Sequence, residues 1–91
     1  HPLRTAASIT PRQLTKLHEA IHHILTTAIK AGGSTLRDTQ YVDVMGDGGS
    51  FQLDHRVYDR AGQRCVTCSK ATIQRIVAAG RSTCFCPRCQ R

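Results

Sequence analysis

Two Cys-x2-Cys motifs, Cys65-Val66-Thr67-Cys68 and Cys86-Pro87-Arg88-Cys89, stand 17 residues apart near the end of a 91-residue chain. A two-residue gap lets both thiolates of a turn face one ion. Two such turns supply the four sulfurs of a tetrahedral zinc site, with Zn–S of about 2.3 Å. Four thiolates leave no position for water, so one structural zinc on Cys65, Cys68, Cys86 and Cys89 is expected, without Lewis-acid chemistry. The fifth cysteine, Cys84, is expected to be a small apolar filler, because pairing it with Cys86 would lose the knuckle geometry that the two motifs share. A redox role for either pair would need a thioredoxin-like strand–helix setting, which the sequence does not suggest.

A chain of this length buries a modest fraction of its surface, on the order of 60%, so a metal staple also answers a need of size. The core must be mostly aliphatic, since there is no Trp and the only aromatics are Tyr41, Tyr58, Phe51 and Phe85.

Ahead of the cysteines the pattern is helical. Ile9-Thr10-Pro11-Arg12-Gln13-Leu14 combines a capping Thr10, a first-turn Pro11, a Gln13 that can close a capping box, and an Ile9–Leu14 staple. Leu14, Leu17, Ile21, Ile24, Leu25, Ala28 and Ile29 then follow helical spacing up to Gly32-Gly33, a left-handed stop. His18 and His22 share a face, but no carboxylate lies between them in the metalloprotease manner, and they are read as polar-face residues. Gly46-Asp47-Gly48-Gly49 lacks the ending of a phosphate loop and is read as a mobile loop or turn. Phe51 to Tyr58 reads as a strand, and Thr72 to Val77 with Ser82 to Phe85 as the arms of a hairpin turning at Ala79-Gly80. The fold class expected is a small zinc-stapled α+β unit: a long N-terminal helix with a short helical turn, then a β-hairpin zinc finger. Residues 1–50 and 51–91 are expected to be its two parts.

Charge points to the partner. Thirteen Lys and Arg face six Asp and Glu, and residues 46–91 hold eight of the basic residues and three of the acidic ones. Seven of those eight are arginine, suited to bidentate contacts with phosphates and base edges. A rigid hairpin carrying arginines can grip a backbone with little loss of entropy. No segment approaches the ~18 apolar residues of a membrane helix, so no membrane partner is expected, and a cytoplasmic location is the default.

Taken together, the Ile9–Ile29 helix, Gly32-Gly33-Ser34-Thr35-Leu36-Arg37-Asp38, Gly49-Ser50-Phe51-Gln52, Val57-Tyr58-Asp59-Arg60-Ala61-Gly62-Gln63-Arg64-Cys65 and Arg81-Ser82-Thr83-Cys84-Phe85-Cys86-Pro87-Arg88-Cys89-Gln90 resemble the C-terminal region of the formamidopyrimidine-DNA glycosylase and endonuclease VIII family. The formamidopyrimidine branch is favoured by Gly32–Asp38 and Gly49–Gln52. The resemblance implies a base excision repair setting, in which oxidised purines such as 8-oxoguanine are removed and the abasic site is then cleaved. It also implies that the zinc hairpin and the helix-two-turn-helix motif hold kinked duplex DNA while the base is flipped. Arg81 matches the zinc-finger arginine that contacts phosphates near the lesion. Arg37 matches the residue opening the lesion-capping loop, which would run from Arg37 to Phe51. Lys70, Arg75, Arg64 and Arg88 around the zinc are the further DNA contacts expected.

The family's nucleophile is an N-terminal proline followed by glutamate. This sequence begins His1-Pro2-Leu3 and lacks both that motif and the Gly-x-Gly-Asn segment, so no base excision by this chain alone is expected. No small-molecule substrate is expected either; the partner is double-stranded DNA, damaged or abasic. Thr39 follows Asp38 where the family has an aromatic, and Cys84 replaces another. The alternatives are an autonomous zinc-ribbon module that binds nucleic acid without catalysis, and a zinc-stapled protein-interaction domain.

Overall fold

The computed structural model describes residues 1–36 and 41–91. Among these residues are one α-helix, α1 (Pro11–Lys30), two short 3-10 turns (Ala6–Ser8 and Phe51–Asp54), and one antiparallel pair, β1 (Gln74–Ala78) and β2 (Arg81–Phe85). The result is a small α+β unit carrying a hairpin zinc finger. The chain divides into two compact units, Ala6–Asp54 and His55–Arg91 with His1–Thr5.

Helix α1 starts where local chemistry dictates. The Thr10 hydroxyl accepts the Gln13 N–H at 3.3 Å, and the Gln13 side chain accepts the Thr10 N–H at 3.1 Å, which satisfies two N-terminal donors reciprocally. It ends in a Schellman arrangement: Gly33 N–H to Ala28 O at 2.8 Å and Gly32 N–H to Ile29 O at 3.0 Å, with Gly32 at φ 70°. The large residues of its apolar stripe are open, from 44% exposed at Leu17 to 78% at Ile29.

Beyond the helix the backbone folds back on its own C-terminus. Ser50 N–H donates to Ala31 O at 2.9 Å and Phe51 N–H to Gly33 O at 2.9 Å, while Ser34 and Ser50 form a bridge. Thr35 ties the two sides together: its hydroxyl donates to Tyr41 O and accepts the Gly49 N–H at 2.8 Å. Gly49 is required here, because a Cβ would drive into the carbonyls of Gly32 and Gly33. The sequence suggested a strand from Phe51 to Tyr58, and the structure corrects this. Phe51–Asp54 is a 3-10 turn, with the Phe51 N–H committed to Gly33 and the Leu53 N–H to Ser50 O at 3.1 Å. No neighbouring strand is placed to pair with it among the described residues.

In the other unit a short ladder leads into the first cysteine turn. Gly62 N–H meets Ile73 O, Ile73 N–H meets Gln63 O, Cys65 N–H meets Ala71 O, and Arg64 bridges Thr72. Strands β1 and β2 follow, turning at Ala79-Gly80 as expected, though β1 begins two residues later than the sequence suggested and runs one further. Cys65, Ile73, Phe85 and Cys86 are buried; Val57, Cys68, Ala71 and Cys84 pack around the Cys65–Ile73–Cys86 cluster. The His1 ring meets Phe85 edge-on, centroids 4.6 Å apart. Four buried residues among those described are a small core, and two of them are cysteines of the expected metal site; a staple is what such a core needs.

Candidate metal centre

Each Cys-x2-Cys segment is closed by the same backbone bond, from the N–H of the residue after the second cysteine to the carbonyl of the first. Ser69 N–H reaches Cys65 O at 2.8 Å, and Gln90 N–H reaches Cys86 O at 3.0 Å. The second turn has two further fasteners. Cys89 N–H points at Cys86 Sγ at 3.4 Å, and Cys86 N–H donates to the Gln90 side chain at 2.9 Å. Ser69 sits at φ 52°, the left-handed conformation that lets the chain leave the first turn.

The two turns bring four sulfurs together. Cys65, Cys68, Cys86 and Cys89 present Sγ atoms that all lie within 4.8 Å of one another. Across the two turns, Cys65 and Cys89 are 4.0 Å apart and Cys68 and Cys86 3.8 Å apart. A tetrahedron with Zn–S near 2.3 Å has edges of about 3.8 Å, close to both of these cross-turn separations, so the donor set suits one zinc ion. All four positions are sulfur, which fits a closed structural site. Cys84 stands outside the group, half-buried against the core in strand β2.

The thiols are unequal. Cys68 is pulled down to about 6, first by the backbone N–H groups of Lys70 and Ala71 that stabilise its thiolate. Cys65 is also lowered, chiefly by the N–H of Cys68. Cys89 is pushed up to about 12, first by its hydrogen bond with the Cys86 sulfur and then by desolvation. Its side chain is nevertheless exposed, so the sulfur–sulfur contact is the physical cause that matters.

The basic residues expected at a DNA surface are distributed unevenly around this centre. Arg81 opens β2 directly after the turn and is exposed. Lys70 and Arg88 are near the first and second cysteine turns, the carbonyl of Arg88 accepting from Arg91 Nε at 3.2 Å. Arg64 is exposed and reaches back to Ser69 O at 3.4 Å. Arg75 lies in β1, its Nε and one terminal nitrogen on Ser82 Oγ at 2.9 and 2.6 Å. Arg37 lies outside the described residues. What the sequence reading missed is Ser82 as the anchor of Arg75; strand alternation around Ala79-Gly80 puts the two on one face and could have shown it.

Comparison with known proteins agrees with this geometry. Residues 62–91 match the zinc finger found in FPG and IleRS. A formamidopyrimidine-DNA glycosylase of Chloroflexus aurantiacus is 51% identical over 90 residues, covering 99% of this chain and 31% of that protein. The crystal structure of the MutM (Fpg) protein from Thermus thermophilus superimposes with a TM-score of 0.89 at 43% identity, over 98% of this chain and 33% of that one. The Lactococcus lactis Fpg in complex with DNA containing an abasic site gives 0.86 at 38% identity, over 100% of this chain and 32% of that one. The chain thus spans about a third of the length of the curated relatives it matches. Among the described residues no helix is long and apolar enough to cross a membrane. By sequence and by fold, the chain is similar over its whole length to the zinc-finger-bearing C-terminal region of formamidopyrimidine-DNA glycosylases.

Proposed function

We propose that this chain is the duplex-gripping C-terminal portion of a formamidopyrimidine-DNA glycosylase-like repair protein, and that it binds damaged or kinked DNA. The observation that carries the reading is the position of Arg81: exposed, at the tip of a two-stranded hairpin whose base is closed by the four-cysteine cluster. Zinc held by Cys65, Cys68, Cys86 and Cys89 keeps the hairpin rigid, so a phosphate contact there costs little ordering entropy. The arginine surplus of residues 46–91 supplies a field that attracts the polyanion. On this reading residues 1–50 are the last part of a helix-two-turn-helix-type domain with its lesion-capping-like loop, and 51–91 are the zinc finger. Lys70, Arg64 and Arg88 are secondary backbone contacts and Arg37 opens the capping loop. The abasic-site DNA seen with the Lactococcus lactis relative supports damaged duplex as the partner.

The test is binding of the zinc-loaded chain to duplex carrying an abasic-site analogue, and to undamaged duplex, across a salt series. The expected result is a preference for the abasic duplex and a log–log salt slope of several units, about 0.9 per phosphate neutralised. Absence of binding at low salt would sink the reading.

A further inference from the structure

Two of the arginines of the zinc finger, Arg75 and Arg81, lie on opposite faces of the same hairpin. The register pairs Arg75 with Cys84, Val77 with Ser82 and Ala78 with Arg81. Directly opposed residues share a face and neighbours along a strand alternate. Arg75, Val77, Ser82 and Cys84 therefore project to one side, whereas Ile76, Ala78, Arg81, Thr83 and Phe85 project to the other. A duplex that meets Arg81 meets the second face.

Arg75 is engaged on the first. Its guanidinium forks onto the Ser82 hydroxyl through Nε at 2.9 Å and a terminal nitrogen at 2.6 Å, a diagonal tie across the strands. With Ser82, Cys84, Tyr58, Asp59 and Ala61 it lines a shallow cleft of about 420 Å³. The Asp59 carboxylate in that cleft disfavours a phosphate there. Ser82 is the residue directly after Arg81, and beyond Arg81 comes a turn with both central residues at positive φ, Ala79 at 48° and Gly80 at 75°. A two-stranded hairpin is marginal by itself, and the metal fastens only its far end. The Arg75–Ser82 tie links the two strands through side chains at the end where Arg81 emerges.

We propose that Arg75 is a positioning residue of the DNA-gripping hairpin: its fork holds Ser82, and through Ser82 the adjoining Arg81, while Arg75 itself touches no DNA. This inference rests on the proposed duplex binding and deepens it, since it removes one arginine from the expected contact set and gives it another task.

The experiment measures affinity for an abasic-analogue duplex across a salt series for the zinc-loaded parent chain and for Arg75→Ala, Arg75→Lys, Ser82→Ala, Arg81→Ala and the Arg75→Ala/Ser82→Ala double variant. Zinc stoichiometry is checked for each. A positioning role gives Arg75→Ala and Ser82→Ala the same loss, about three- to fivefold, with the salt slope unchanged and the double variant no weaker than either. Arg75→Lys fails as Arg75→Ala does, because an ammonium keeps the charge but cannot fork onto one hydroxyl. A phosphate contact would instead lower the slope by about 0.9 in Arg75→Ala, leave Ser82→Ala at parental affinity, and be rescued by lysine; that pattern overturns the proposal. Should Arg75→Ala lose its zinc, the much milder Ser82→Ala decides: parental affinity overturns the proposal. A parent chain that binds no duplex overturns the function itself, a failure visible before any variant is compared.

Discussion

Gln52 holds Thr35 by the backbone: its side-chain oxygen accepts the Thr35 N–H at 3.2 Å, while its amide nitrogen donates to Gly49 O at 2.9 Å. With the Thr35 hydroxyl bridging Tyr41 O and the Gly49 N–H, this closes the neck of the loop that the resemblance equates with the lesion cap. A half-buried hydroxyl that serves two backbone groups is costly to remove. Thr35→Val keeps the shape and deletes both bonds, and should destabilise the neck by about 1–3 kcal/mol. Hydrogen exchange of the Gly49 amide would then accelerate by about tenfold or more while the α1 amides stay unchanged. Unaltered exchange at Gly49 would show that the neck is held by other means.

The hairpin turn carries a residue in an unfavourable conformation. Ala79 sits at φ 48°, where a Cβ crowds the following carbonyl, and glycine or asparagine suits the position better. Ala79→Gly should stabilise the zinc-loaded finger by about 1 kcal/mol and raise its thermal midpoint by a few degrees. A lower midpoint would mean that the alanine methyl is packed in a way that outweighs its strain.

How far the sequence discloses the molecule depends on how local each feature is. The start and stop of α1 follow from Thr10, Gln13, Gly32 and Gly33, all bonded within five residues of their partners, and they read off correctly. The turn at Ala79-Gly80 is legible for the same reason, whereas the cysteine turns converge across 18 to 24 positions and are legible because four thiolates in two Cys-x2-Cys motifs share one ion. Phe51–Asp54 is different. Its residue types suit a strand, but the Phe51 N–H is taken by Gly33, 18 positions back, and the Gln52 side chain by Thr35, 17 positions back. No local propensity carries that information. Arg75 and Arg81 look alike as charges; only the strand register separates their faces.

The thiol outside the metal cluster offers a clean contrast. Cys84 packs beside Cys65, Ile73 and Cys86 but its sulfur is not in the four-sulfur group. Cys84→Ser should keep one zinc per chain and cost about 1 kcal/mol or less, since it exchanges a half-buried thiol for a hydroxyl. Cys86→Ser removes a buried donor from the tetrahedron and should abolish stoichiometric loading. Zinc lost from Cys84→Ser would make Cys84 a ligand and redraw the site.

Zinc loading should depend on pH in a direction set by the unequal thiols. In the metal-free finger Cys68, at about 6 against an ordinary 9.0, already holds a thiolate at neutral pH, stabilised by the Lys70 and Ala71 N–H groups. Its contribution to folding is fully present above 9.0 and is lost as pH falls through about 6. Cys89, at about 12, works the other way: it favours the metal-free fold below 9.0 and ceases to as pH rises through about 12. A thiol cannot ligate until its proton leaves, so at neutral pH binding must displace at least the Cys89 proton. Log affinity for zinc, measured by chelator competition, should therefore rise with pH at a slope of about one or more above pH 6. Below about 6, where Cys68 also carries a proton, the slope should steepen by about one. The reverse trend, or one slope throughout, would mean that Cys68 is not the thiolate that the Lys70 and Ala71 amides prepare for the metal.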